Sequence, residues 1–127
     1  MVTLSAAAAV TSRVKLACTV IVLPMHPAVL MAKQIATLDV ISGGRVVLGV
    51  GVGARADDYA AVGAPFDRRR LRRMEARVRI MRRVWAGEIV VEGAPRPVEP
   101  FPVQRGGPPI LVAALAADSI TRAMFAV

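Results

Sequence analysis

Three glycines at alternate positions, Gly49, Gly51 and Gly53, run out of an apolar stretch that begins at Arg45. Without side chains, such positions leave the backbone open to a flat ring or a phosphate group. In α/β folds the carboxyl ends of parallel strands are where ligands sit. Other reactive groups are scarce. His26 is the only histidine and Cys18 the only cysteine. One of each builds neither a metal cluster of ordinary spacing nor a Ser-His-Asp set, so no catalytic residue is assigned and no metal is expected. His26 precedes a proline in a loop and reads as a solvated or capping group.

The glycine series also fits a loose dinucleotide fingerprint. That fingerprint requires a helix opening on its last position and an acidic residue about 20 positions further on, at a strand end. Glu75 is the nearest acid by spacing and falls inside a helical pattern, so the fingerprint fails on context.

The elements that must position these residues follow from periodicity and punctuation. Residues 4–10 are alanine-rich and helical, and Thr11 and Ser12 break them. Residues 14–23 are apolar and β-branched, as in a buried strand. Residues 28–41 carry Met31, Ala32, Ile35 and Leu38 on one helical face, and Ser42-Gly43-Gly44 stops them. Residues 45–50 suit a strand covered on both faces. A short helical turn is expected over 57–62, with Asp57 and Asp58 at its positive end and Asp58 as its cap. The longest helix is expected over 66–86, with Leu71, Met74, Val78, Met81 and Trp85 inward. A short strand is expected over 88–92. Residues 93–109 hold six prolines and form a loop long enough to be either functional or an excursion. A third strand over 110–113 and a helix beginning at 119 complete the series. Alternating helices and strands imply parallel strands joined by crossovers. Three such strands close no barrel, so the chain reads as one incomplete α/β domain over 1–127.

The formal charge is +8, from 17 basic and 9 acidic residues. Most of the excess is local, in nine arginines between positions 68 and 83. As an interaction module, that helix would track nucleic-acid phosphates or an anionic surface. No aromatic residues interleave the arginines to stack bases, and a solvated outer face explains them more simply. Nucleic acid is therefore not the expected partner. No stretch is long and apolar enough to span a bilayer. A single cysteine in an apolar run is compatible with a reducing, cytoplasmic setting.

Several segments, taken in order, carry a family resemblance. They are Thr11-Ser-Arg-Val-Lys-Leu-Ala-Cys-Thr-Val-Ile-Val-Leu-Pro24, His26-Pro-Ala-Val-Leu-Met-Ala-Lys-Gln-Ile-Ala-Thr-Leu-Asp-Val-Ile-Ser-Gly-Gly-Arg45 with its continuation to Gly53, Gly63-Ala-Pro-Phe66, Glu75 with Trp85, and Pro102-Val-Gln104 followed by Pro108-Pro-Ile110. Together they resemble the luciferase-like monooxygenase family, which includes bacterial luciferase and the oxidoreductases that use coenzyme F-420. The resemblance implies part of a (β/α)8 TIM barrel, about three parallel strands with their helices, from the end of the second helix to the start of the fifth. It implies an oxidoreductase or monooxygenase that takes reduced FMN or coenzyme F-420 and a small organic substrate. It implies that this chain alone is inactive or nearly so, and that its open strand edges favour self-association.

By the same resemblance, the main chain at Thr19 and Val20 backs the flavin ring, with a bulge expected there. Gly51 and Gly53 lie at the ligand face. Ala113 and Ala114 stand where many members have two glycines beside the cofactor phosphate, and Arg70 replaces a turn glycine. Ser42-Gly43-Gly44 precedes a strand and belongs to the stability face.

Overall fold

The computed structural model describes residues 1–113. Its elements are α1 (Val2–Val10), β1 (Leu16–Val22), a 3-10 turn (Leu23–Met25), α2 (Ala28–Ser42), β2 (Val46–Gly51), α3 (Ala56–Ala61), α4 (Arg70–Trp85) and β3 (Ile110–Val112). The strands form one parallel sheet in the order β1-β2-β3. Ala114 and the helix expected from residue 119 lie outside the described residues.

Alternation decides the two faces of the sheet. Leu16, Val46, Leu48, Val50 and Ile110 are buried, and they join Met31, Ile35 and Leu38 of α2 and Met74, Val78 and Met81 of α4 in one core. The opposite face is open: Leu111 is 54% exposed and Val20 is 42% exposed. One face thus packs under helices while the other forms the inner surface of an arc.

Trp85 joins the two long helices, its indole N–H donating to the Ala32 carbonyl of α2 at 3.0 Å. Val84, outside the expected stripe, is also buried. Helix α2 ends as its glycines require. Gly43 takes φ 65°, and the Gly43 and Gly44 amides return to the Val40 and Asp39 carbonyls.

The turn that follows is held by Arg45. Its guanidinium donates to the carbonyls of Ser42, Ala8, Thr11 and Val14 and to the Thr11 hydroxyl. All five guanidinium N–H groups are thereby used. The end of α1, the entry to β1 and the entry to β2 are clipped together at the amino-terminal edge of the sheet.

Three expected elements are corrected. Helix α4 starts at Arg70 instead of 66, because Asp67 draws the chain into a turn by accepting from the Arg69 amide at 2.7 Å. The apolar run over 14–23 is shorter as a strand, since Leu23 enters the 3-10 turn with Pro24. Residues 88–92 form no strand: none of the described strands pairs with them, and Ile89 and Val91 stay exposed. The proline-rich loop, left by the sequence as either functional or an excursion, is tied back onto the fold. Gln104 donates to both Asp39 carboxylate oxygens and to the Val46 carbonyl, Arg82 donates to the Gly106 carbonyl, and Gly107 packs on the Trp85 ring.

Candidate functional site

At the carboxyl end of the sheet the β1-β2 ladder slips. Cys18 pairs with Leu48 and Ile21 with Val50, so Thr19 and Val20 together oppose Gly49. This is the bulge expected at these positions. The Thr19–Val20 peptide is cis. Gly49 makes the bulge possible: a methyl group there would strike the Cys18 carbonyl oxygen and come within 3.2 Å of the Thr19 Cα. Gly49 was readable only as one of a glycine series. The available signal was a glycine inside a strand, which often marks a bulge in the neighbour.

Beyond the slip, three strand ends meet. A Cβ built on Gly51 would lie 3.1 Å from Val20 Cγ2 and 3.6 Å from Ala113 Cβ. Val20, Gly51 and Ala113 therefore stand side by side, one from the end of each strand segment. The ladder continues under them, with the Ala113 amide donating to the Val50 carbonyl at 2.8 Å. Thr19, Val20 and Ala113 are exposed on the inner face of the arc, and Gly51 is buried between Val20 and Ala113.

Gly53 lies one step outside this row and has its own conformational reason. Its φ is +66°, and a Cβ would press to 2.8 Å from Val22 Cγ1. Tyr59 seals that turn, its hydroxyl donating to the Val52 carbonyl at 2.5 Å. Burial raises the Tyr59 pKa, and the nearby arginines Arg70, Arg73 and Arg77 oppose the rise. The structure thus brings Thr19, Val20, Gly51 and Ala113 together, with Gly53 at the rim.

His26 is apart from them. Its amide donates to the Leu23 carbonyl, and its own carbonyl accepts from Arg77 Nε at 2.7 Å. Burial lowers the imidazole pKa, and the Arg77 charge lowers it further. With Ile21, Leu30, Met31 and Gln34 it lines a cavity of about 280 Å³ on the helix-covered side of the sheet. Asp58 is not a cap. Arg55 occupies the cap position of α3, and Asp57 and Asp58 lie in its first turn, paired with Arg55 at 2.6 and 3.8 Å.

The arginines of α4 are not uniformly solvated. Arg70, Arg73, Arg77 and Arg82 are partly buried on specific partners, while Arg72, Arg79 and Arg83 are exposed. Glu75 and Arg79 make no ion pair despite their spacing; among the described residues the carboxylates engaged by arginine are Asp57, Asp58, Asp67 and Glu88. Among the described residues no group of metal-ligating side chains assembles, and no helix is long and apolar enough to cross a membrane.

Comparison with known proteins bears on this geometry. A family model described as luciferase-like monooxygenase matches residues 1–125. An uncharacterised protein of Mycobacterium tuberculosis is 43% identical over 111 residues, covering 78% of this chain and 39% of that protein. The F420-dependent glucose-6-phosphate dehydrogenase of Kineococcus radiotolerans is 36% identical over 117 residues, covering 80% of this chain and 34% of that enzyme. Among solved structures, the monooxygenase RslO1 of Streptomyces bottropensis superposes with a TM-score of 0.82 at 33% identity, over 94% of this chain and 38% of that one. A Baeyer-Villiger monooxygenase of Pseudomonas putida, solved in complex with FMN, shares the fold at a TM-score of 0.73 and 23% identity, over 87% of this chain and 35% of that one. The chain spans well under half the length of each of these relatives, as expected of three strands from a (β/α)8 barrel.

Proposed function

We propose, from the premise that this chain belongs to the luciferase-like monooxygenase family, that its three strand ends form one wall of a flavin-type cofactor site in an oxidoreductase acting on a small organic substrate. The observation that carries the reading is the row Val20, Gly51 and Ala113 beside the bulge at Thr19 and Val20. It lies at the carboxyl ends of adjacent parallel strands, where this architecture places its chemistry.

The residues fit a planar ring. Gly51 is buried and adds no side chain between the methyl groups of the exposed Val20 and Ala113. Thr19, Val20, Gly51 and Ala113 would hold the ring side of FMN or coenzyme F-420, with Gly53 nearer its tail. When bound, the cofactor supplies two-electron, hydride-type chemistry. The chain supplies a dry, rigid support: Val20 and Ala113 exclude water from one side, and the bulge fixes the main chain there. No side chain in the row can carry a proton at neutral pH, and His26 lies on the other side of the sheet. Proton transfer therefore has to come from elsewhere in a complete barrel. Residues 1–127 alone turn over substrate poorly or not at all, and the free edges of β1 and β3 favour association with further strands, including those of a second copy.

The test is an absorbance titration of the purified chain with FMN and with coenzyme F-420. A saturable spectral shift with one of them is expected. Ala113→Asp, which places a carboxylate on the exposed row, should weaken it at least about ten-fold, since an uncompensated charge against an apolar ring face is costly. No saturable shift with either cofactor, or no effect of Ala113→Asp, would sink the reading.

A further inference from the structure

Arg70, Arg73 and Arg77 recur along α4 at intervals of three and four, so they share one stripe of that helix. The stripe faces the loops at the carboxyl ends of β1 and β2. Arg77 Nε donates to the His26 carbonyl at 2.7 Å, just after β1. Arg73 Nη2 donates to the Pro65 carbonyl at 2.7 Å. The Arg70 guanidinium carbon lies 3.9 Å over the Phe66 ring, and Phe66 packs edge-on against Tyr59 at 5.3 Å. Tyr59 in turn touches the turn at Gly53. A continuous set of contacts thus leads from the rim glycine to the arginines.

The charges on this stripe are not balanced. Among the described residues, Asp67 is the one carboxylate that pairs with any of the three, and it pairs with Arg73 at 2.9 Å. Arg70 rests on an aromatic face, and Arg77 rests on a neutral carbonyl. Among the described residues, two buried guanidinium nitrogens, Arg70 Nη1 and Arg73 Nε, find no acceptor. Buried donors left unpaired are uncommon in native proteins, because each forfeits its hydrogen bond to water. Burial and the Arg73 charge also loosen the Arg77 proton. The arginines facing solvent elsewhere on α4 bear no such penalty, so a merely solvated face does not account for the stripe.

We infer that Arg70, Arg73 and Arg77 form a binding site for a phosphate group on the stripe of α4 that faces the loops after β1 and β2. Guanidinium forks suit tetrahedral oxyanions, which offer several acceptors to several donors at once. The inference stands apart from the cofactor reading except in the source of the phosphate, which is either the cofactor's own or that of a separate phosphorylated small molecule.

The experiment is calorimetric titration of the full 127-residue chain with inorganic phosphate at constant ionic strength, with chloride as the reference anion. Saturable binding of phosphate over chloride is expected. Arg70→Gln and Arg77→Gln should each weaken it at least about five-fold, Arg70→Lys should fall between, and Arg79→Gln on the exposed side should leave it unchanged. Circular dichroism checks that each variant keeps its helix content. Should one variant fail to fold, the other two substitutions on the stripe decide. Absence of saturable phosphate binding, or equal weakening by Arg79→Gln, overturns the site in favour of diffuse charge. Competition then separates the sources. Displacement of phosphate by FMN but not by riboflavin assigns it to the cofactor, and simultaneous binding of FMN and phosphate assigns it to a second molecule. Phosphate binding that persists while neither FMN nor coenzyme F-420 binds would refute the cofactor reading and leave this site standing.

Discussion

Replacing Arg45 with alanine should destabilise the chain more than any surface change of equal size. Arg45 is 9% exposed and has no carboxylate partner among the described residues; its five N–H groups end on four carbonyls and a hydroxyl. The bonds to Ser42 O (2.6 Å) and Ala8 O (3.0 Å) are buried, and the three to Thr11 and Val14 are only partly so. In the alanine variant water can reach the partly buried acceptors. The two buried carbonyls lose their partner at about 1–3 kcal/mol each, which places the expected loss near 3 kcal/mol. For a domain of this length that corresponds to a fall in Tm of roughly 10 °C. Trp85, the only tryptophan, is buried in the α2-α4 interface and reports unfolding in urea by its fluorescence. Arg45→Lys keeps the charge but cannot span acceptors on α1, β1 and the β2 turn, so it should recover less than half of the loss. Amide exchange should speed up first in α1, whose carboxyl end this residue holds. A loss below about 1 kcal/mol, or full rescue by lysine, would show that the fork geometry is not what stabilises this edge.

Further outcomes follow from the loop contacts and from His26. Asp39 is fully buried and accepts from the Gln104 amide at 3.0 Å and side chain at 2.7 Å, so Gln104→Ala should expose residues 93–109 to limited proteolysis while α2 and α4 stay protected. Unchanged protease resistance would mean that other contacts hold the loop. Gly107→Ala combines a φ of +88° with a collision against the Trp85 ring, and should cost about 1–3 kcal/mol and shift the Trp85 emission. A silent substitution there would show that the loop relaxes freely. The folded-state pKa of His26 lies below the ordinary 6.5, chiefly through burial and then through Arg77. Between the two values the unfolded chain binds more protons than the folded one. Its contribution is therefore present above pH 6.5 and is lost as the pH falls through the folded pKa. Urea midpoints measured across pH 7.5 to 5 should fall in wild type and fall less in His26→Gln; parallel profiles would exclude His26 as the cause.

What the sequence could determine was local. The stripe of Met74, Val78, Met81 and Trp85 declares the buried face of α4, because a helix repeats its neighbours every three or four residues. Gly43 declares the left-handed end of α2, because other residues pay for that conformation. The alternation of helices with short apolar strands declares parallel pairing, and the bulge at Thr19 and Val20 followed from family likeness. What only the tertiary structure decided was every contact between residues distant along the chain. Arg45 meets acceptors 31 to 37 positions away, and Gln104 meets Asp39 across 65 positions. Neither partner carries a local mark of the other. Gly49 is a turn-like residue in the sequence and a relief for the Cys18 carbonyl in the fold. The run over 88–92 has strand composition, yet composition cannot supply the neighbouring edge a strand requires. The α4 arginines look alike in the sequence. Packing alone distinguishes Arg70, Arg73 and Arg77, turned towards the loops of the sheet, from those left in water, because burial is a property of the assembled surface.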